Sequence, residues 1–260
     1  MLSEDRFSIA IVGMRNPANY GITIAEKFSQ ELSRLGITIV SGLARGVGSV
    51  AHIAVLKTGG RTIGVIGSGI DVIYPPENKN LFEKISENGV VVSEYDMGTQ
   101  PAAGNFPRRN RIISGMSLGT IIIETAIDGG AMITASTALD QNRDVFAVPG
   151  LISEKRPVGC NTLIRYGRAK LVTSIEDVLD ELETKLRPIL KGITKQTHRP
   201  EPELTLFEKK VYENLSEEPI HIDQLSEKAD MSTTDALVNL LSLEFKGIVK
   251  QMSGKMFIRL

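Results

Sequence analysis

From residue 8 to about residue 183, short apolar runs alternate with longer stretches in which apolar positions recur at helical spacing. The runs at 8–13, 37–41, 62–66, 90–93, 120–123 and 145–148 are rich in Val and Ile and bounded by Gly, Pro or Ser, and they predict strands buried on both faces. The stretches 20–35, 48–57, 78–88, 109–116 and 133–141 predict helices. Strand–helix alternation of this kind predicts an α/β fold, an extended Rossmann-like, doubly wound and mostly parallel sheet. A last helix is expected at 174–182, with Ser174 as its cap and Asp177 three residues on. Glycines 13, 42, 46, 48, 67, 69 and 150 cluster after the predicted strands. Ligands of such sheets bind at the carboxyl ends of the strands, so these loops should build the site.

The pattern breaks at 184–203, where basic side chains and prolines mix without periodicity. This stretch reads as a basic, mobile linker. Periodicity returns at 207–215, 221–229 and 233–245, followed by two strand-like runs at 247–252 and 255–260 around Ser253–Gly254. Three short helices and a hairpin predict a small winged-helix-like domain over 204–260. Ser232 is placed to cap its third helix. That helix carries no Arg or Lys as far as Phe245, and the domain holds seven basic against nine acidic side chains, a net of −2. Phosphate contacts dominate nucleic-acid affinity. A protein-contact or regulatory role is therefore expected for this domain rather than DNA reading.

Composition narrows the partners. Lys and Arg number 30 against 31 Asp and Glu, a formal charge of −1, so any polyanion site must concentrate positive charge on one face. The single cysteine, Cys160, excludes an internal disulfide and fits a reducing compartment. Residues 1–8 show no apolar leader, and no run reaches membrane-spanning length. A soluble cytoplasmic protein without a membrane partner is expected.

The densest chemistry lies at 105–115, where Phe106, Pro107, Arg108, Arg109 and Arg111 precede an apolar pair, Ile112–Ile113. Guanidiniums hold phosphates through paired N–H donors, and an adjacent aromatic face can stack a base. Two readings stand: an address for a polyanion where a loop enters a helix, or a solvated cap whose arginines bridge a subunit contact. Gly46–Val47–Gly48–Ser49–Val50–Ala51 matches a G-x-G-x-x-A pattern, but it lies several residues beyond its strand. A phosphate on backbone N–H groups beside Arg45 is the better use of it. Arg15, after the first strand, should project toward the same mouth. Metal signatures are poor: His52, His198 and His221 are scattered, and Glu94, Asp96, Glu124 and Asp128 are as well suited to capping or pairing as to Mg²⁺. His52 reads as a structural helix residue and Cys160 as a small buried one. No metal, cofactor or catalytic residue is assigned.

Taken in order, the loops resemble the DNA-processing protein A (DprA/Smf) family. The resemblance rests on Val12–Gly13–Met14–Arg15 with Tyr20–Gly21, on Ser41–Gly42–Leu43–Ala44–Arg45–Gly46 reaching Ala51–His52, and on Gly67–Ser68–Gly69–Ile70–Asp71 with Tyr74–Pro75. It continues through Ser93–Glu94, Asn105 to Ile113, Thr134–Ala135 and Val145–Phe146–Ala147–Val148–Pro149–Gly150. Gly46–Val47–Gly48 stands where the family commonly has Gly-Ile-Asp, and Tyr95 where it often has proline. The helical N-terminal domain of many members is expected to be absent. The resemblance implies that 1–183 is a single-stranded-DNA-binding domain without catalysis. It also implies a homodimer that protects incoming strands during natural transformation and helps load the RecA recombinase. The implied nucleic-acid-binding residues are Arg15, Ser41, Gly42, Arg45, Gly46, Phe106, Arg108, Arg109, Arg111 and Thr134. The alternative is a nucleotide-binding phosphoribohydrolase of the lysine-decarboxylase-like family, with Gly119–Thr120 and Glu124 as its partial motif.

Overall fold

Ser8–Gly13 forms β1 at the middle of a parallel sheet, because its alternation serves two cores at once. Ile9 and Ile11 face one helical layer, while Ala10 and Val12 face the other. On the first face lie α1 (Asn19–Arg34) and α2 (Val47–Lys57), contributing Phe28, Leu32, Val47, Ala51 and Val55. On the second lie α4 (Asn105–Gly115), α5 (Gly130–Asp140) and α6 (Val158–Arg165), contributing Ile113, Ala135, Ala138, Cys160 and Leu163. The other strands are β2 (Thr38–Ser41), β3 (Thr62–Val65), β4 (Val90–Val92), β5 (Gly119–Ile123), β6 (Asp144–Ala147) and β7 (Lys170–Leu171). Their order is β4-β3-β2-β1-β5-β6-β7, and every pairing is parallel. Helix α3 (Lys79–Asn88) joins β3 to β4. The order reverses between β1 and β5, so the crevice of a doubly wound sheet opens above these two strands.

The computed structural model describes residues 3–190, 204–216, 218–246, 248–252 and 254–259. They fall into two units, one on either side of 191–203. Three departures from the sequence reading have local causes. Strand β7 has two residues, both exposed, and so leaves no apolar run to detect. Helix α4 begins at Asn105, four residues ahead of the predicted start, with Pro107 in its first turn, where a missing N–H costs nothing. Helix α7 (Ile175–Glu181), closed by the Ser174–Asp177 capping box, is followed by α8 (Glu183–Leu190). The expected linker at 184–203 therefore begins as helix, held by Leu186, which is fully buried in the first core. Its remainder lies outside the described residues.

The second unit is a winged helix: α9 (Leu206–Glu213), α10 (Ile222–Lys228) and α11 (Thr233–Phe245), with a sheet ordered β8-β10-β9. Strand β8 (Ile220–His221) is too short to see in the sequence; β9 (Val249–Met252) and β10 (Met256–Arg259) form the hairpin. Ser232 Oγ caps α11, accepting from Asp235 N–H at 3.1 Å. Leu240 and Leu243 face the core, whereas Leu237, Val238, Leu241 and Phe245 are exposed on the opposite face.

Glu208 locks α9 to the end of α11. Its buried carboxylate accepts from Lys246 Nζ at 2.7 and 2.8 Å and from Ser242 Oγ at 2.5 Å. These bonds, the lysine's first, hold its pKa down to about 2. The folded-state value is depressed, so its contribution to stability is present above pH about 4.5 and is lost as pH falls toward about 2. Glu208→Gln is expected to flatten that acid-dependent loss, read by amide exchange at Leu240 and Leu243. An acid profile identical to that of the unaltered chain would remove the claim.

Candidate nucleic-acid interface

The crevice above β1 and β5 is a cleft of about 590 Å³, lined by the loops after β1, β2 and β5 and by the first turns of α4 and α5. Arg109 forms its floor. Pro107 and the apolar pair Ile112–Ile113 set α4 so that this side chain points inward, where it is only 5% exposed. Its Nη1 donates to Gly42 O at 2.6 Å and to Val65 O, clamping the carboxyl ends of β2 and β3. Burial and then the nearby Arg15 charge push its pKa down to about 10, so it stays protonated at neutral pH. Among the described residues it has no carboxylate partner within 4 Å. A buried cation without a counter-ion is costly. An anion in the cleft would supply one.

Arg15 enters from above on a loop held at both ends by Glu124. Met14 N–H donates to the Glu124 carbonyl at 2.8 Å, and Ala18 N–H donates to Glu124 Oε2 at 2.8 Å. Glu124 is buried and takes a left-handed conformation, φ 53°, to do both. Gly46 closes the loop from beneath: its φ is +72°, and the Met14 and Arg15 carbonyls fill the space a side chain would need. Ser41 donates its hydroxyl to Ile11 O at 2.7 Å, tying β2 to β1. The Phe106 ring sits among cations, 5.4 Å from the Arg15 guanidinium and 6.0 Å from that of Arg109, with Tyr74 5.5 Å away. The N-terminus of α5 opens into the same space through Gly129 and Gly130, which leave its backbone N–H groups approachable.

Residues 1–183 match the family model described as DNA recombination-mediator protein A, and residues 195–255 match the DprA winged helix domain. The chain belongs to the DNA recombination-mediator protein A family. DNA processing protein DprA of Streptococcus pneumoniae is 47% identical over 175 residues, covering 67% of this chain and 61% of that protein. Protein Smf of Escherichia coli is 36% identical over 250 residues, covering 95% of this chain and 67% of that protein. The X-ray structure of the pneumococcal DprA superposes with a TM-score of 0.64 at 44% identity, over 68% of this chain and 62% of that one. DNA processing protein A of Helicobacter pylori, whose structure was described for its single-stranded DNA binding mode, gives a TM-score of 0.64 at 30% identity, over 69% of this chain and 81% of that one.

Of the family-motif residues, Arg15, Ser41, Gly42, Arg45, Phe106, Arg109 and Thr134 line the cleft. Gly46, Arg108 and Arg111 do not. Gly46 shapes the Arg15 loop from below. Arg108 is exposed on α4, and Arg111 pairs with Glu94. Arg45 pairs with Glu77 at the rim, an exposed contact that a phosphate can replace. Arg108, expected just ahead of the helix, thus sits on it with Arg109 and Arg111, and its periodicity sends the three in different directions. Sequence reasoning passed over Thr125, Asn110, Gly129 and Gly130, which also line the cleft. The Gly129–Gly130 pair ahead of a predicted helix was the available signal.

Other candidates have structural duties. Glu124 spends its carboxylate on Ala18 N–H. His52 is buried against Thr62 Oγ1 at 2.7 Å, and burial pulls its pKa down to about 3, so it stays neutral. Burial raises Cys160 to about 11, leaving a thiol rather than a thiolate. Among the described residues no three His, Cys, Asp or Glu gather as a metal site, and no helix is long and apolar enough to cross a membrane. Arg109→Ala is expected to cost about 1–3 kcal/mol in unfolding free energy, since two strand-end carbonyls lose their donor. Denaturant unfolding measures this, and an unchanged midpoint would contradict the clamp.

Proposed function

We propose that the cleft binds single-stranded DNA, and that the chain protects such strands and helps load the RecA recombinase onto them during DNA uptake and recombination. The observation that carries this reading is the buried Arg109 guanidinium, which among the described residues has no carboxylate counter-ion and lies beneath a cleft that also receives Arg15 and Phe106. A phosphate there meets two guanidiniums and the N-terminus of α5. A base has the Phe106 and Tyr74 rings to stack on. A paired base cannot reach them without leaving its helix, so geometry favours the single strand. The family membership and the Helicobacter pylori relative's single-stranded DNA binding mode support this reading. RecA loading and a homodimeric state rest on the family resemblance, and residues 1–183 are where we assign DNA binding.

Catalysis is not part of this reading. A phosphoribohydrolase would need Glu124 free toward substrate, whereas its carboxylate is committed to the Arg15 loop.

Fluorescence anisotropy with single- and double-stranded oligonucleotides of equal length, across a salt series, tests the proposal. Strong, salt-sensitive preference for the single strand is expected; equal affinity for both would sink it. Arg15→Ala should weaken binding and lower the salt slope by about 0.7, the loss of one phosphate contact. Phe106→Ala should cost about 1–3 kcal/mol with the slope unaltered. For the recombinase, the chain should shorten the lag before RecA filaments form on strands coated with single-strand-binding protein. An unchanged lag would remove that role.

A further inference from the structure

Beyond β6 the chain leaves the carboxyl edge of the sheet in a loop at 150–157, which returns at Val158 to start α6. The neck of this loop is closed. Asn161 Nδ2 donates to Gly150 O at 2.9 Å, and Gly150 N–H donates to Asn161 Oδ1 at 3.1 Å. Gly150 lies against the Pro157 ring with no space for a side chain. Just beyond, Gly159 N–H donates to Thr125 O at 2.7 Å, fastening the loop to the wall of the cleft, since Thr125 and Ala126 line it.

The tip faces outward. Leu151 is 70% exposed and Ile152 is 95% exposed. Lys155 and Arg156 are exposed beside them, and among the described residues neither has an acidic partner within 4 Å. A fixed neck, an uncovered apolar tip and two uncommitted cations match an unpaired strand, which offers apolar base faces and phosphates together. The position decides between a strand and a protein partner. From β3, beside Phe106 and Arg45, to β6 the edge crosses four strand spacings, about 19 Å. Cations from the loops along this edge, Arg45 in its pair with Glu77, Arg15, and then Lys155 and Arg156, recur from end to end, and they outnumber the exposed acids Asp128 and Glu154 that lie among them. A polyanion running along the edge meets all of them.

We infer that the 150–157 loop is a second contact for single-stranded DNA, reached by strands long enough to pass out of the cleft over β5 and β6. Lys155 and Arg156 take phosphates, and Leu151 and Ile152 cover unstacked bases. This inference rests on the single-stranded DNA reading of the cleft.

The test uses the full chain and two labelled oligonucleotides, one of about 4 nucleotides that fills the cleft and one of about 16 that extends past it. The double variant Lys155→Ala, Arg156→Ala should bind the long strand more weakly, with a salt slope lower by about 1.4, and bind the short strand as before. Ile152→Ser should weaken the long strand alone and leave its slope unaltered. Unchanged affinity and slope for the long strand overturn the inference while leaving the cleft reading intact, and this is the result if the loop serves a protein partner. Equal weakening for both lengths also overturns it, by placing these residues in the cleft's own footprint. Failure of the unaltered chain to bind either strand would overturn the cleft reading itself, and the loop's role with it.

Discussion

The Arg109 guanidinium is the interaction on which the site depends. It holds the carbonyl ends of two neighbouring strands at Gly42 and Val65 and sits under the Phe106 ring. The strand ends, the glycine loop and α4 are therefore fixed by one cation. Because that cation is buried with carbonyls and Asn110 rather than a carboxylate as partners, it keeps its charge directed at the cleft. The donors that shape the pocket also make it electropositive, in a chain whose net charge is only −1.

Glu124 is the complementary constraint. A buried carboxylate and a strained backbone both carry a cost, and here they have one effect, to bracket the loop that carries Arg15. The carboxylate faces the start of α1, where backbone N–H groups favour it, so the acid is stabilised without neutralising the cleft. Arg15 and Arg109 thus meet across Phe106, each held by partners that leave the positive field open. The same economy explains why Gly42 and Gly46 cannot carry side chains: Arg109 fills one space and the Arg15 loop the other.

The winged helix follows a different logic. Its third helix, which in a DNA reader would carry cations into the groove, instead exposes Leu237, Val238, Leu241 and Phe245. Its lysine nearest the helix end, Lys246, is committed to Glu208. The architecture is that of a DNA-binding module, while its third helix offers apolar side chains rather than cations as far as Phe245.

The sequence by itself determined the fold class. Buried parallel strands need continuous Val and Ile runs, and the helices between them need one apolar face, so six of the seven sheet strands, the helices of their unit other than α6 and α8, and the winged helix were legible from residues alone. It also marked the chemistry, because Arg15, the glycine loop and the Phe106 segment follow or flank predicted strand ends. The two-residue strands Lys170–Leu171 and Ile220–His221 were invisible, since pairing with a neighbour rather than any local pattern creates them. Only the tertiary structure sorted the arginines of α4 by direction. Helical geometry sends Arg109 into the core, Arg111 to Glu94 and Arg108 to solvent, and which direction meets the cleft depends on how α4 packs on the sheet. Packing likewise turned Glu124 from a candidate acid into the anchor of the Arg15 loop, because its partner, Ala18, lies 106 residues away along the chain.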